Sequence, residues 1–276
     1  MTVTWPSRSE LAVEQLELPA FDPCEREAAH AFLSEHPIGL GATLAIVIPA
    51  YNEAPTVAEV LTEIPDVVNG LDCEAIVVVD GASDETAAEA ERAGALVCDV
   101  PVNRGQGAAL KLGYALARAR GAELICTIDA DGQYDPEEIG RVIAPILAGE
   151  ADFVSGSRRL GAELTTDRMR HAGVVVFGKL FSMLVGHTVT DPACGLRAMR
   201  SELTAAVTLE QPQYQASELM ISAALTGYRL AEVPTTMRDR EAHATGTKKG
   251  RNFRYGLCFA RAALRTWRRD RRSQRR

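Results

Sequence analysis

The chain has 276 residues, of which 46% are hydrophobic and 24% charged, so it is long enough for one large or two small domains with a substantial core. No apolar run reaches the length of a membrane span, and the N-terminus has neither the basic start nor the apolar middle of a signal peptide, so we expect a cytoplasmic protein. Six cysteines at irregular spacings, without a C-x-x-C pair, argue against a zinc site and a disulfide framework.

The net charge of −7 conceals an uneven distribution. Residues 246–276 contain twelve lysines and arginines against Asp270 alone, a local charge of +11 that leaves −18 on the rest of the chain. A basic segment on an acidic body predicts an anionic partner for that segment only.

Residues 1–41 are predicted to form an N-terminal helical extension. Asp22-Pro23-Cys24-Glu25 is typical of a helix start, with an acidic cap, proline at the first helical position and glutamate in the first turn. The helix is expected to run to about Glu35, before His36-Pro37 ends it. A lid, a subunit contact and a simple packing helix are all compatible with this pattern.

Residues 42–156 alternate between short apolar strands and helices. Strands are predicted at 44–48, 75–79, 96–98, 124–128 and 152–155. Helices are predicted at about 55–64 and 136–147, and two more are predicted to end at about residues 93 and 120. This alternation predicts an α/β fold, with a mainly parallel sheet covered by helices.

Polar side chains follow the carboxyl ends of four successive strands. They are Glu53, Asp80, Asn103, Asp129 and Asp131. Because such strand ends meet at one edge of an α/β sheet, we expect a ligand-binding crevice there. A dinucleotide site is a poor alternative, since Gly105-Gln106-Gly107 follows the third strand and Leu110 stands where the G-x-G-x-x-G fingerprint needs its last small residue.

Asp129 and Asp131 are separated by one residue at the end of the fourth strand. Alternate residues of an extended segment share a face, so both carboxylates can reach one hard cation whose other ligands are water and a diphosphate. Gln133 lies on the same side. A D-x-D pair is expected about once by chance in a chain of this length, so this interpretation depends on the neighbouring strand ends.

Four motifs in this order resemble those of family 2 glycosyltransferases of the GT-A fold. They are Pro49-Ala50-Tyr51-Asn52-Glu53, the strand end at Asp80, Asn103-Arg104-Gly105-x-Gly107, and Asp129-Ala130-Asp131-Gly132-Gln133. Within that family the chain is most similar to the polyprenyl-phosphate (dolichyl-phosphate) mannosyl- and glucosyltransferases. The motifs of this closer resemblance are D-x-D-x-Q, Ser157-Arg158, Asp191-Pro192-Ala193-Cys194-Gly195-Leu196-Arg197 and Glu232-Val233-Pro234. The resemblance covers residues 43–249 and implies a glycosyltransferase domain over residues 42–249.

The resemblance implies a site for a GDP- or UDP-linked sugar donor. The residues implied to bind the donor nucleotide are Pro49, Tyr51, Glu53, Asp80, Asn103, Gly107, Lys111, Asp129 and Ala130. Asp129, Asp131 and Gln133 are implied to hold a divalent metal, and their oxygen atoms suit Mg²⁺ or Mn²⁺. The segment from Asp80 to Thr86 is one residue shorter than in the family and lacks its second aspartate, which leaves the nucleotide base open.

Residues 157–249 are implied to form the acceptor half and a mobile loop. Arg158 and Arg170 are implied to bind an acceptor phosphate, and Arg240 and Lys248, in the loop, to contact the diphosphate. The alternative for each is an ordinary solvated or ion-paired surface charge.

A helix predicted at about 172–185 is apolar nearly all round, which favours either burial or contact of one face with lipid. Val174 and Gly178 stand where the family has serine and asparagine. These two departures weaken the interpretation of the acceptor as a phosphate.

The chemistry of the acceptor decides the roles of Asp191 and Glu218. A hydroxyl acceptor needs a carboxylate as general base, whereas a phosphate monoester, whose second pKa is about 6, is already largely ionised. Asp191 therefore joins Asp129 and Asp131 as a candidate catalytic residue under the first interpretation and is structural under the second.

Residues 250–276 are predicted to form a basic amphipathic helix. Its apolar stripe is predicted to contain Phe253, Leu257, Ala260, Leu264 and Trp267. The adjoining face carries Arg254, Arg261, Arg265, Arg268 and Arg272. This pattern fits an interfacial anchor on anionic lipid and, equally, a core-packed helix with solvated arginines. Nucleic acid is not expected as a partner, because no aromatic platform accompanies the arginines.

Three functional hypotheses follow. The leading one is a metal-dependent, inverting transfer of a hexose from a nucleoside-diphosphate sugar to polyprenyl phosphate, by a cytoplasmic protein in peripheral contact with the inner face of the cell membrane. The alternatives are a soluble transferase that glycosylates a small-molecule hydroxyl and a sugar-nucleotide-binding protein without turnover. The intact D-x-D-x-Q motif argues against the last.

Overall fold

The computed structural model describes residues 21–163, 168–213, 215–238 and 251–273, and the side chains of residues 163, 168–174 and 251–255 lie outside this description. The helices are α1 (Pro23–Glu35), α2 (Val57–Glu63), α3 (Thr86–Arg92), α4 (Gln106–Arg120), α5 (Ile139–Leu147), α6 (Arg168–Val185), α7 (Ser201–Ala206), α8 (Gln215–Leu225) and α9 (Arg251–Ser273). The strands are β1 (Leu44–Ala50), β2 (Val67–Val68), β3 (Leu71–Asp80), β4 (Leu96–Val100), β5 (Leu124–Thr127), β6 (Phe153–Glu163), β7 (Arg197–Arg200) and β8 (Leu230–Met237).

The strands of the described residues form one sheet in the order β2-β3-β1-β5-β7-β6-β8, with β4 also paired to β3. Strands β4, β3, β1 and β5 are parallel, β7 runs antiparallel between β5 and β6, and β8 is parallel to β6. The prediction of a mainly parallel sheet covered by helices is confirmed. The sequence pattern does not predict β7, because four residues with arginine at both ends lack a clear apolar run.

The register of the parallel strands aligns their carboxyl ends. Ala50 pairs with Val79, Asp80 with Val100, and Val47 with Thr127. The loops that follow β1, β3, β4 and β5 therefore emerge at the same edge of the sheet, as the sequence predicts.

Apolar side chains fill both faces of the sheet. Helices α4, α8 and α9 cover one face, in a cluster that includes Tyr114, Phe153 and Phe181. Helices α2 and α5 cover the other face, where Ile46 and Ile143 are buried. The alternation of side chains along β1 and β3 supplies both layers, which explains why these strands are continuously apolar.

Helix α1 begins and ends where the sequence predicts. The carboxylate of Asp22 accepts the N–H of Cys24 at 3.1 Å, and the N–H of Asp22 donates to Glu25 at 2.8 Å. This reciprocal pair is the capping box expected from the sequence.

Helix α6 is buried on one face only. Phe181 is buried, whereas Val176 and Met183, seven residues apart, are 63% and 77% exposed. Of the two alternatives that the sequence leaves open, burial on all sides is therefore excluded, while α8 and α9 pack against this helix.

Helix α9 packs through a face that coincides only in part with the predicted stripe. Phe259, Ala262, Ala263 and Thr266 are buried against the core, whereas Leu257 of the predicted stripe is exposed. Trp267 of the stripe does pack against the core, and its Nε1 donates to the carbonyl of Leu184 at 2.9 Å. Among the described residues, no helix is both long and apolar enough to cross a membrane.

Candidate active site

An open pocket of about 540 Å³ lies at the edge of the sheet where β1, β3, β4 and β5 end. Its lining residues are Pro49, Ala50, Tyr51, Glu53, Asp80, Asn103, Gly105, Gln106, Ala109, Asp129, Ala130, Asp131 and Gln213. The structure thus brings eight of the predicted site residues together. Gly107, Lys111 and Gln133 are outside this lining.

Asp80 fixes the glycine-rich turn that forms one wall of the pocket. Its two carboxylate oxygens accept the N–H groups of Arg104 at 2.7 Å and of Gly105 at 2.6 Å, and its side chain is buried. Gly81, which directly follows Asp80 in this shortened segment, has a φ of +66°, and a Cβ there would collide with the backbone of Asn103. The close approach of the two turns therefore requires glycine at this position.

The loop after β1 is tied to the loop after β3. The side-chain oxygen of Asn52 accepts the N–H of Ser83 at 2.8 Å, and the N–H of Glu53 donates to the hydroxyl of Thr86 at 2.9 Å. Tyr51, next to Asn52 in the chain, is half-exposed and lines the pocket. An aromatic ring in this position can stack on a nucleoside.

Asp129 is positioned by two neighbours that are not among the predicted site residues, Gln106 and Gly195. The amide of Gln106 donates to Oδ1 of Asp129 at 2.8 Å. On the other side, a Cβ at Gly195 would collide with the Asp129 carboxylate, so only glycine leaves room there. The N–H of Gly195 donates to the hydroxyl of Tyr134 at 3.0 Å, and burial raises the pKa of that tyrosine.

Gln106 could be found from the sequence by its position. It is the first residue of a helix that follows a glycine turn, at the edge where the polar strand ends collect. Gln213 also lines the pocket, but it comes from the connection between α7 and α8, and no local pattern in the sequence places it there.

Gln133 connects the D-x-D segment to the end of β8. Its backbone N–H donates to Asp131 Oδ1 at 3.2 Å, and its side-chain amide donates to the carbonyl of Arg238 at 3.4 Å. The N–H of Arg238 in turn donates to the carbonyl of Gln133 at 2.8 Å. These bonds fix the direction of the Gln133 amide.

The predicted metal ligands are chemically suited to a hard cation. Two carboxylates and an amide offer oxygen atoms only, as Mg²⁺ and Mn²⁺ prefer. Within the described ranges, no group of three or more His, Cys, Asp or Glu side chains could hold a metal by itself. The residues therefore fit a cation that shares its coordination with phosphate and water, the usual arrangement for Mg²⁺.

A smaller inner cavity of about 70 Å³ lies behind Asp129. Its lining includes Gln106, Gly107, Thr127, Asp129, Gly195, Arg197, Gln213 and Gln215. The buried Nε of Arg197 and both amide atoms of Gln215 have no hydrogen-bond partner among the described residues. Such atoms call for a polar occupant, either water or a hydroxylated ligand.

Arg158 and Asp191 are bound to each other. Nε and Nη2 of Arg158 donate to the two oxygens of Asp191 at 2.5 and 2.6 Å, and both side chains are buried. Burial alone would lower the pKa of Arg158, but the hydrogen bonds to Asp191 outweigh it and raise that pKa. Neither Arg158 nor Asp191 is in the lining of the pocket.

Glu218, the other candidate base, is also fully engaged. Arg269 of α9 donates to Oε1 at 2.8 Å, and the N–H groups of Glu210 and Gln211 donate to Oε2 at 2.8 Å. Burial raises the pKa of Glu218, although these bonds oppose the rise. The side chain joins α8 to α9 and to the segment that carries Gln213.

Lys111, another predicted donor residue, is outside the lining of the pocket. The ammonium of Lys111 is 4.8 Å from the ring centre of Phe21, on the side of α1. Arg240 and Lys248 are outside the described residues, and so is the side chain of Arg170. Their predicted roles stay predictions.

Comparison with known sequences gives consistent relatives. A model of glycosyl transferase family 2 matches residues 45–207. Dolichyl-phosphate hexose transferase from Haloferax volcanii is 34% identical over 197 residues, which cover 71% of this chain and 83% of that protein. Undecaprenyl-phosphate mannosyltransferase from Micrococcus luteus is 28% identical over 207 residues, with the same two coverages.

Solved structures share the fold. One is glucosyl-3-phosphoglycerate synthase from Mycobacterium tuberculosis in complex with Mn²⁺, uridine diphosphate and glucosyl-3-phosphoglycerate, with a TM-score of 0.65 and 24% identity over 95% of this chain and 86% of that one. The same enzyme is also known with Mg²⁺ and uridine diphosphate, at a TM-score of 0.63 and 22% identity over 88% of this chain and 82% of that one.

Proposed function

The chain belongs to glycosyl transferase family 2, and from this premise we propose that it transfers a hexose from a GDP- or UDP-linked donor to polyprenyl phosphate, with inversion at the anomeric carbon. The relatives named for dolichyl phosphate and undecaprenyl phosphate support this acceptor. A divalent metal, Mg²⁺ or Mn²⁺, is proposed at Asp129, Asp131 and Gln133.

The observation that carries the choice of acceptor is the state of the two candidate bases. Asp191 and Glu218 are buried, and arginine and backbone N–H groups occupy their oxygens. A hydroxyl acceptor needs a base within hydrogen-bond reach. A phosphate monoester is already largely ionised near neutral pH and needs none. The described carboxylates of the acceptor half therefore favour phosphate.

In the proposed mechanism, the nucleoside lies against Tyr51 and Glu53 and the diphosphate lies at the D-x-D segment. Gln106 holds Asp129 in place through its amide. A bound divalent cation would stabilise the departing diphosphate. An oxygen of the acceptor phosphate attacks the anomeric carbon from the side opposite the diphosphate, and the bond to the diphosphate oxygen breaks as that group leaves with the electron pair.

We assign the inner cavity behind Asp129 to the hydroxyl groups of the donor sugar. The cavity shares Gln106, Asp129 and Gln213 with the donor pocket, so the two spaces adjoin. Hydroxyl groups can satisfy the Arg197 and Gln215 atoms that have no partner in the described structure.

The acceptor phosphate must be bound by cationic side chains that are not already paired with Asp191. Arg170 remains our candidate for this phosphate, and Arg240 and Lys248 remain our candidates for contact with the diphosphate. Arg158 could contribute only through Nη1, which faces the sulfur of Met237 at 3.4 Å, since its other side-chain nitrogens bind Asp191.

We also propose that α6 and α9 contact an anionic membrane surface. Val176 and Met183 are exposed on α6, and α9 packs against that helix. Arg261, Arg265, Arg268 and Arg272 are exposed on the side of α9 opposite its packed face. An apolar face beside a basic face is typical of interfacial helices, and each arginine near an anionic surface adds about 1 kcal/mol.

The decisive experiment is a transfer assay with the purified chain, Mn²⁺ and a panel of radiolabelled UDP- and GDP-sugars, with and without polyprenyl phosphate. Label from one donor is expected in the organic phase only when the lipid is present. Label in a water-soluble product instead would favour the hydroxyl-acceptor alternative, and nucleotide binding without transfer to any acceptor would favour a binding protein.

Membrane contact is tested by flotation with liposomes that contain phosphatidylglycerol. Replacing Arg261, Arg265, Arg268 and Arg272 with glutamine should reduce binding, because the positive charge of this face is lost. The fold should be kept, because the packed face of α9 is unchanged. A variant with glutamine at Arg92 and Arg141, two exposed arginines elsewhere, is the control. Equal flotation of both variants would refute the assignment to α9.

A further inference from the structure

Helix α1 lies outside residues 45–207, which match the family. It nevertheless packs against two elements of residues 42–156, which we call the donor half. Its contacts are with β4 and α4. These two elements flank the turn of residues 103–105, which forms a wall of the donor pocket. The extension is thus placed to influence that turn.

Arg104, at the centre of the turn, binds one carboxylate through its backbone and another through its side chain. Its backbone N–H donates to Asp80 at 2.7 Å, and its Nη2 donates to Oδ2 of Asp22 at 2.8 Å. Asp22 is also the cap of α1, where its Oδ1 accepts the N–H of Cys24. One side chain therefore links the start of α1 to the turn.

The residues that flank α1 make further contacts with α4. At the near end, the ring of Phe21 is buried and lies 4.8 Å from the ammonium of Lys111. At the far end, the carbonyl of Pro37 accepts Nη1 of Arg120 at 2.9 Å, and the N–H of Gly39 donates to the carbonyl of Ala119 at 2.9 Å. The relation between Asp22 and the first turn of α4 is therefore set by packing as well as by charge.

From these contacts we infer that Asp22 is a positioning residue for the donor site: through Arg104 it holds the turn of residues 103–105 in the conformation that receives the nucleotide diphosphate. The identity of the ligand in this inference rests on the proposed function, whereas the effect on the turn does not. The pair is partly exposed, at 43% for Arg104 and 27% for Asp22. Exposed pairs are weak, so the expected change is about two- to fivefold in affinity or opening.

The test uses the full chain with Asp22→Asn. Asparagine is as good a helix cap as aspartate, so α1 is kept while the charge that holds Arg104 is lost. Glu89→Gln, which neutralises a similar exposed pair with Arg92 on α3, is the matched control. Hydrogen–deuterium exchange of the peptide that contains the turn should be about two- to fivefold faster in Asp22→Asn and unchanged in Glu89→Gln.

Binding of UDP and of GDP, each with Mn²⁺, is then measured by calorimetry. The nucleotide that binds the unaltered chain should bind Asp22→Asn about two- to fivefold more weakly. Adding Asp22→Asn to Arg104→Gln should cause no further loss, because Asp22 acts through that arginine.

Unchanged exchange in the turn would overturn the inference whatever the nucleotide result. Faster exchange with unchanged nucleotide affinity would overturn the link to donor binding. If the unaltered chain binds neither nucleotide, the proposed function and the donor role both fail, and the exchange data still decide whether Asp22 holds the turn.

Discussion

At the edge of the donor half, Asp80 and Asp129 accept hydrogen bonds from backbone and amide N–H groups and line an open pocket. In the acceptor half, Asp191 and Glu218 are fully buried, and each binds an arginine. Carboxylates thus line a ligand site in one half and are buried in the interior in the other.

This difference corresponds to two different roles of the carboxylates. A carboxylate oriented by neutral donors keeps its negative charge available to a cation. A carboxylate paired with a buried arginine has its charge neutralised, and its main effect is to keep that arginine in place. Substitutions should accordingly reduce activity in the donor half and stability in the acceptor half.

The largest effect is expected for Asp191→Ala. Removal of this carboxylate leaves the buried Arg158 guanidinium without its partner, which costs about 3–5 kcal/mol in the free energy of unfolding. Urea denaturation measures the loss. The paired replacement Arg158→Met with Asp191→Leu should recover most of it, because no buried charge remains.

A general base would behave differently. If Asp191→Asn kept wild-type stability and nucleotide binding but lost turnover, Asp191 would be a catalytic base, and the hydroxyl-acceptor alternative would replace the phosphate. The contrast between the halves would then be wrong at its central residue.

The same contrast explains which features the sequence could predict. Asp80 and Asp129 follow apolar strands, and the topology of a parallel sheet brings such strand ends together regardless of detail. Asp191 and Arg158 are 33 residues apart in the chain, and nothing in their local patterns indicates that they meet. The packed face of α9 is also hard to predict, because two alanines, at 262 and 263, and Thr266 form much of it.

The second prediction concerns the donor half. Asp131→Asn should lower turnover about 100-fold or more, since a metal site of this kind supplies several kcal/mol of stabilisation to the leaving group. The unfolding free energy should change little. Chelation by EDTA should abolish transfer by the unaltered chain, and added Mn²⁺ should restore it.

The Asp131→Asn variant also tests the role of the metal. Its activity should recover only in part at high Mn²⁺, because one anionic ligand is lost. Full activity of this variant without added metal would contradict the role of the D-x-D segment.

Gly195 lies where the halves meet, and Gly195→Ala should affect both properties. The added Cβ would displace the Asp129 carboxylate and disturb the hydrogen bond to Tyr134. We expect a stability loss of about 1–3 kcal/mol from overpacking, with weaker Mn²⁺-dependent nucleotide binding. Gly140→Ala, on α5 beside the exposed Asn69 side chain, is the control and should retain nucleotide binding. Normal binding by Gly195→Ala would show that Asp129 tolerates displacement.

The smallest effect is expected for Asp152→Asn, at the start of β6 and distant from chemistry in either half. Hydrogen bonds from Arg229, aided by Arg200, hold the pKa of Asp152 well below its ordinary value. A lowered pKa means that the ionised carboxylate stabilises the fold above its ordinary pKa of about 3.9 and that this contribution is lost as the pH falls. Because Arg229 is half-exposed, we expect Asp152→Asn to cost only about 1 kcal/mol at pH 7. Urea denaturation between pH 7 and pH 3 should show the variant and the unaltered chain converging in stability below about pH 4. A gap that stays constant with pH would mean that Asp152 acts through packing and not through its charge.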